Sequence, residues 1–213
     1  MPNGEQPSIT KLSSRQLSLD YKGSIKYWKW SAALYQKNNL RNDTPNTIHG
    51  AEVYAAYNGP TLQGSVSLAS IQSTIETADN SYPSDHDLSY FLRTMLNYSF
   101  ANNWDIGLVY WQRQGRYYLP VTSSIWEETE NTYRPIYAAE NEGLRLPDYH
   151  RLDFSISRII GLPFGTAILY ANANNLLDNK NVRAFNYNAD YSNQFAEYLN
   201  RRTIFFGVVI NWE

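Results

Sequence analysis

Apolar and polar residues alternate with a period of two through most of the chain, the spacing of an extended strand whose side chains point alternately to two faces. The run Asp87 to Phe100 is the clearest. Leu88, Tyr90, Leu92, Leu96, Tyr98 and Phe100 fall on one side, with Ser89, Arg93, Asn97 and Ser99 on the other. The closing stretch, Arg202 to Glu213, sets Ile204, Phe206, Val208, Ile210 and Trp212 against Thr203, Phe205, Gly207, Val209 and Asn211. Further runs of this kind are Gln16 to Lys22, Ile25 to Lys37, Ile48 to Asn58, Thr61 to Thr74, Trp104 to Tyr118, Tyr149 to Ile159 and Thr166 to Leu176. No stretch carries a convincing helical period, so the pattern predicts an all-β chain of about nine antiparallel, up-and-down strands.

Several runs reach or exceed the roughly 9 to 11 residues with which a tilted strand crosses a bilayer, against about 5 to 6 in ordinary soluble sheets. The connections between them alternate in length. Gly23 with Ser24, Gly59 with Pro60, Ala101 to Asn103 and Ile160 to Gly165 are short. Asn38 to Thr47 and Ile75 to His86 are medium, and Leu119 to Asp148 and Leu177 to Arg201 are long. This asymmetry is expected of a transmembrane β-barrel with short periplasmic turns on one rim and long extracellular loops on the other. A spanning helix is excluded: the longest weakly polar run, Ile159 to Ala171, is broken by Gly161, Pro163 and Gly165 and falls short of the roughly 20 residues required.

Composition changes the picture in three places. The mean hydropathy is -0.52, yet the chain holds 18 Tyr, 8 Phe and 6 Trp. A barrel reconciles the two, because its lumen and loops are polar while aromatic girdles mark both membrane interfaces. Lys and Arg are scattered and the net charge is -2, which leaves no footprint for nucleic acid. With no cysteine, disulfide scaffolds, thiolate metal sites and cysteine nucleophiles are excluded. The opening MPNGEQPSITKLSS has no basic start followed by an apolar core, so it is not a secretory signal, and a mature form or a fragment is expected.

Three segments, in order, resemble the last strands of TonB-dependent outer-membrane receptors: LPDYHRLDFSISR (Leu146 to Arg158), TAILYANANNLLDNKNV (Thr166 to Val182) and the closing RRTIFFGVVINW. Arg151, Leu152 and Asp153 fit that family's Arg-Leu-Asp. Asn175, Leu176, Leu177 and Asp178 fit its Asn-Leu-Phe-Asn turn with Leu for Phe and Asp for Asn. More loosely, HGAEVYAAY (His49 to Tyr57) and WDIGLVYWQRQGRYYLP (Trp104 to Pro120) are similar to earlier strands of the family. Gly207, Ile210 and Trp212 match the signal by which barrel assembly machinery recognises a last strand, with Phe206 at a position that is usually polar and Glu213 after the usual closing aromatic.

The resemblance implies that residues 1–213 are the C-terminal portion of a receptor barrel whose plug domain and N-terminal strands lie elsewhere. It implies a place in the outer membrane of a Gram-negative bacterium, amid outer-membrane lipid. The complete receptor would take up a scarce solute such as an iron chelate, cobalamin or an oligosaccharide. Energy would come from an inner-membrane complex acting through the plug. No enzymatic activity, cofactor or metal is implied. Two other readings stay open: a small self-contained outer-membrane barrel acting as adhesin or enzyme, and a soluble all-β carbohydrate-binding module.

The candidate ligand-binding residues lie in the two long loops, where aromatics and arginine are suited to stacking and hydrogen bonding. They are Trp126, Tyr133, Arg134 and Tyr137 in the first, and Arg183, Tyr187 and Tyr191 in the second, which also holds Tyr198. Glu52, Arg93, Arg113, Arg151 and Asp153 alternate with small residues and are expected on the lumen wall. Asp85, His86 and Asp87 do not make a metal site, since consecutive residues point to different sides and Ser, Asp and Pro there are ordinary turn chemistry. Of His49, His86 and His150, none stands beside a serine marked out as a nucleophile.

Overall fold

The alternating runs form strands, and strands adjacent in sequence pair as neighbours in space. The structure, a computed structural model, describes residues 12–41, 44–77, 80–84, 86–100 and 103–212. It has the strands β1 (Leu12–Ile25), β2 (Trp28–Arg41), β3 (Thr44–Asn58), β4 (Leu62–Glu76), β5 (Ser81–Pro83), β6 (Leu88–Phe100), β7 (Trp104–Arg113), β8 (Tyr117–Tyr118), β9 (Val121–Glu127), β10 (Thr132–Tyr137), β11 (Leu144–Arg145), β12 (Tyr149–Leu162), β13 (Gly165–Asn174), β14 (Val182–Tyr187), β15 (Gln194–Tyr198) and β16 (Thr203–Trp212). One turn of 3-10 helix, Glu140–Glu142, interrupts the β structure.

The large sheet runs β1-β2-β3-β4-β6-β7-β12-β13-β16, every pair antiparallel, with β5 folded back onto the end of β4. These nine long strands overlap the nine alternating runs, but the first turn falls at Lys26 and Tyr27 and not at Gly23 and Ser24, and β2 and β3 extend into the expected Asn38 to Thr47 connection. The expected count of about nine is nevertheless too low. Seven short strands add to the nine: β5, β11 and the hairpins β9-β10 and β14-β15 occupy segments expected to be connections, and β8, the partner of β11, is the detached end of an expected strand. The run from Trp104 to Tyr118, expected as one strand, stops at Arg113 and resumes at Tyr117. Segments this long bury their backbone groups by pairing with themselves, since an unpaired buried peptide is costly. The sheet is open: among the described residues β1 pairs only with β2, and β16 only with β13.

Cross-strand register carries one apolar face across the sheet, with one shift where β4 meets β6, between Ala69 and Ile71. Tyr21, Ala32, Val53, Leu68 and Leu92 are successive partners. Farther along, Leu96, Leu108, Phe154, Ala173 and Ile204 are too. Because the period is two, this register sends Asp20, Glu52, Arg93, Arg113, Arg151 and Asp153 together to the opposite face. On the apolar face of the nine long strands, the charged residues are Arg15 and Glu76 near the long-loop edge and Arg158 near the short-turn edge. The band between them carries none.

That apolar face is uncovered. Leu17 is 76%, Phe206 83% and Trp212 73% exposed, and buried apolar residues among the described ones are only Ala56, Leu146, Ala167 and Ala173. The accessible surface, 15209 Å², is about half as large again as the roughly 10,000 Å² that size scaling gives for a folded water-soluble monomer of this mass. Among the described residues the sheet is a single layer without a second layer packed on it.

Along the short-turn edge the apolar face ends in a row of aromatic rings. Tyr57 stands 5.8 Å from Tyr27 and 5.1 Å from Trp28, ring centre to ring centre. Phe100 stacks with Tyr98 at 5.7 Å and with Trp104 at 6.3 Å, and Phe164 with Trp212 at 6.4 Å. Arg158 lays its guanidinium 5.2 Å from the centre of the Trp104 ring.

The short turn between β12 and β13 depends on a glycine. Gly165 has φ +141°, a conformation that L side chains rarely adopt, and an added Cβ would sit 2.0 Å from the Asn211 carbonyl oxygen on β16. Gly165→Ala is expected to destabilise the folded sheet by about 1–3 kcal/mol through strain and overlap with backbone. Gly161→Ala, which meets open space, should stay within about 0.5 kcal/mol. Urea unfolding of the two variants in the same detergent or lipid measures the difference.

Candidate binding site

The site is built by two hairpins that rise from the long-loop edge and lean on one another. The first, β9-β10, is an excursion of the segment between β7 and β12, anchored by the short pair β8-β11. The second, β14-β15, lies between β13 and β16. They are joined where the Val121 amide donates to Tyr187 Oη at 3.1 Å and Ser124 Oγ donates to the Asp190 carbonyl at 2.7 Å. Each partner in these bonds is 66 residues from the other in sequence.

Buried polar groups fix the feet of both excursions. Asn175, in the left-handed region at φ 51° and 1% exposed, uses its whole amide. Its Nδ2 donates to the Asn179 carbonyl at 3.0 Å, and its Oδ1 accepts from the Asn179 amide at 3.1 Å. Its backbone N–H goes to Asp153 Oδ1 at 2.8 Å, the same oxygen that accepts from Arg151 Nε at 2.6 Å. Asn181 and the backbone of His150 exchange two bonds, of 2.9 and 2.8 Å. Asp178 accepts from Arg201 Nε at 2.8 Å, Arg201 Nη2 at 2.5 Å and the Arg202 amide at 2.9 Å. These hydrogen bonds hold the Asp178 carboxyl far below the usual carboxylate range, Arg201 contributing most.

At the foot of the first excursion, buried Asp87 accepts from the Ser73 amide at 2.9 Å and pairs with Arg145, whose Nη1 also reaches the Asp87 and Gly115 carbonyls. Asp148 accepts from Tyr90 Oη at 2.5 Å and from the Gly115 amide at 3.1 Å. The Tyr90 hydrogen bond lowers its carboxyl below the ordinary value.

Between the hairpins opens a cleft of about 850 Å³. Five of the seven candidate ligand-binding residues line it: Tyr133 and Tyr137 from β10, Arg183 and Tyr187 from β14, and Tyr191 from the turn that follows. The rings of Tyr187 and Tyr191 stand 5.9 Å apart. Trp126 and Arg134 do not line the cleft. Trp126 makes an edge contact with Tyr133 at 5.0 Å, and Arg134, on the other face of the hairpin from Tyr133, lies 3.9 Å from exposed Glu127.

Sequence reasoning passed over Arg116, Tyr117, Tyr118, Phe185, Asn186 and Phe195, which also line the cleft, with Tyr118 and Phe185 in contact at 5.4 Å. The signal was present for part of them: Arg183, Phe185 and Tyr187 alternate as in a strand. The cleft is therefore a wall of tyrosine and phenylalanine with two guanidiniums and several amide groups. It is suited to stacking on a ring and to donating hydrogen bonds.

On the sheet's polar face Arg93 lies 4.5 Å from the Trp111 ring centre and Arg113 5.2 Å from that of Tyr149. Gly207 faces Tyr170 so closely that an added Cβ would lie 2.5 Å from the phenol oxygen, while Ile210 and Trp212 sit opposite Ala167 and Gly165. Asp85 and Glu213 lie outside the described residues. Of the other two members of the Asp85 to Asp87 trio, His86 is exposed and Asp87 is committed to Arg145. Among the described residues no group of three or more His, Cys, Asp or Glu side chains is placed to hold a metal ion.

The chain matches no known protein family, and none of the curated proteins matches it.

The Asp178 geometry has a consequence at acid pH. A carboxyl whose folded-state value is depressed contributes stability above its unfolded value, ordinarily 3.8, and loses it as pH falls through the lower folded value. At about pH 3 the native chain should still hold the 177–201 segment against pepsin, because the carboxylate remains ionised there. Asp178→Asn, lacking the ion pair, should be cut in that segment faster at the same pH. Equal cleavage of the two proteins would remove Asp178 from the clamp.

Proposed function

We propose that this chain is the C-terminal part of the barrel of a TonB-dependent receptor in the outer membrane of a Gram-negative bacterium. In the complete receptor it contributes to energy-coupled uptake of a scarce solute, an iron chelate, cobalamin or an oligosaccharide. The observation that carries the reading is the single-layer sheet with one continuous, uncovered apolar face, bordered by aromatic rings along its short-turn edge. Lipid can cover such a face. The bilayer needs no second protein layer, and interfacial aromatics and snorkelling arginine suit its boundary.

A water-soluble sheet of this kind would leave Leu17, Leu19, Leu34, Val53, Leu68, Ile204, Phe206 and Val208 in solvent, at about 1.5–3 kcal/mol for each large side chain that burial would otherwise stabilise. Among the described residues the outer edges of β1 and β16 have no partner strand, which fits a sheet that continues into further strands of a closed barrel, since lipid tolerates no open edge. Order of motifs supports the family: Arg151 to Asp153 on β12, Asn175 to Asp178 in the turn that follows β13, and Gly207 to Trp212 on β16 come in sequence along the last three long strands and their connection. Asn175, Asp153 and Asp178 also have a physical reason to be these residues, because they clamp the foot of the last loop.

In this reading the two hairpins stand outside the cell and capture the solute in the cleft of Tyr133, Tyr137, Arg183, Tyr187 and Tyr191, with Trp126 and Arg134 on its periphery. Arg93, Arg113, Arg151 and Asp153 line the lumen. Gly207, Ile210 and Trp212 present the last strand to the assembly machinery. The chain binds and conducts; it does not catalyse.

Two experiments test this reading. Tryptophan fluorescence of the chain refolded into brominated-lipid vesicles should be strongly quenched at Trp28 and Trp212 and weakly at Trp111 in single-tryptophan variants. Equal quenching at all three would contradict the two-faced sheet. Coding sequence adjoining the codon for Met1 should encode a plug-like domain and further alternating strands, and an unrelated neighbour there would contradict membership of a larger receptor.

A further inference from the structure

A second, smaller cavity of about 270 Å³ adjoins the aromatic cleft, sharing Arg116, Leu146 and Arg183 with it and adding Arg113 and Tyr149. The charged side chains that line it are the three guanidiniums, and no carboxylate lines it among the described residues. Their charge is only partly answered. Arg183 gives one donor to Glu197 at 3.0 Å, and Arg113 lies over the Tyr149 ring. Arg116, exposed, enters no ion pair among the described residues. Asp148, on the same segment, is occupied by Tyr90 and the Gly115 amide.

Positive groups held near one another repel, so the arrangement costs stability unless an anion joins it. Guanidiniums are also the side chains best shaped to grip a carboxylate or phosphate through paired donors. The wide neighbouring cleft supplies ring faces, Tyr118 and Phe185 among them. We propose that Arg113, Arg116 and Arg183 form an oxyanion subsite beside the aromatic cleft, so that the solute bound here is a ring-bearing carboxylate or phosphate and not a neutral one. This rests on the receptor reading for the word solute, but not for the binding chemistry.

Three probes separate charge from stacking: 4-nitrophenyl phosphate, 4-nitrophenyl glucoside and inorganic phosphate, each titrated calorimetrically into the full chain folded in detergent. The phosphate ester should bind about tenfold or more tighter than the glucoside, and more tightly than inorganic phosphate, which lacks the ring. Raising the ionic strength should weaken the ester and leave the glucoside unchanged. Arg113→Gln with Arg116→Gln should erase the preference, while Arg15→Gln, on β1, keeps it. Should the double variant fail to fold, exposed Arg116→Gln alone should reduce the preference severalfold.

Equal affinity for ester and glucoside, a preference that survives loss of Arg113 and Arg116, or no binding of any probe would overturn the proposal. The two readings fail separately. A chain that partitions into outer membrane yet ignores charge refutes the subsite alone, whereas a chain that stays monomeric in water without detergent yet prefers the ester refutes the receptor alone.

Discussion

Everything in this structure depends on a register that, apart from one shift between β4 and β6, holds across nine strands without a second layer among the described residues to enforce it. In an ordinary sandwich, a slip of one residue is opposed by a packed core. Here the described residues bury four apolar side chains. In the proposed membrane setting, what opposes slippage is the solvent on each side of the sheet: one face suits hydrocarbon, the other suits water, and a one-residue slip in any strand would exchange them. Direct cross-strand fits pin the register locally. Trp30 covers Gly23, Tyr35 covers Gly50 and Tyr170 covers Gly207, in each case the residue straight across the ladder. A bulky ring over a bare glycine fits only in one alignment.

From that register follows the division of labour along the strands. The short-turn edge carries the aromatic row and Arg158, the middle band carries no charge on its apolar face, and the long-loop edge carries the polar clamps. Asn175, Asn181, Asp178, Asp87 and Asp148 are spent on backbone amides and arginines at the feet of the two excursions, so the hairpins above them are held at fixed spacing. Because Tyr187 and Asp190 bond back to Val121 and Ser124, the cleft between the hairpins belongs to both. Its tyrosines other than Tyr191, which sits in the hairpin turn, are presented by paired strands, which lowers the ordering cost of binding.

Legibility in the sequence was uneven, for physical reasons. The long strands were readable because each carries apolar residues along one face, so Leu88 to Phe100 or Thr203 to Trp212 shows its period without help from distant residues. The hairpins β9-β10 and β14-β15 were not, since they stand clear of the sheet and carry mixed residues on both sides; only Arg183, Phe185 and Tyr187 hint at alternation. Membership of the cleft depended on contacts spanning 66 residues, which no local pattern encodes. That is why Tyr133 and Tyr137 were grouped with Arg134, which the pleat turns to the other face, and why Tyr118 and Phe185 were passed over. Asp87 looked like turn chemistry beside His86, and only the fold brings Arg145 to it, 58 residues away.

The central claim is that one face of the sheet meets lipid and the other meets water. The chain has no cysteine, so single cysteines placed along β3 from Ala51 to Tyr57 report on each position without interference. In intact cells or proteoliposomes, a water-soluble maleimide should label positions 52, 54 and 56 and spare 51, 53, 55 and 57, an alternation of period two. Uniform labelling of all seven positions would contradict the account.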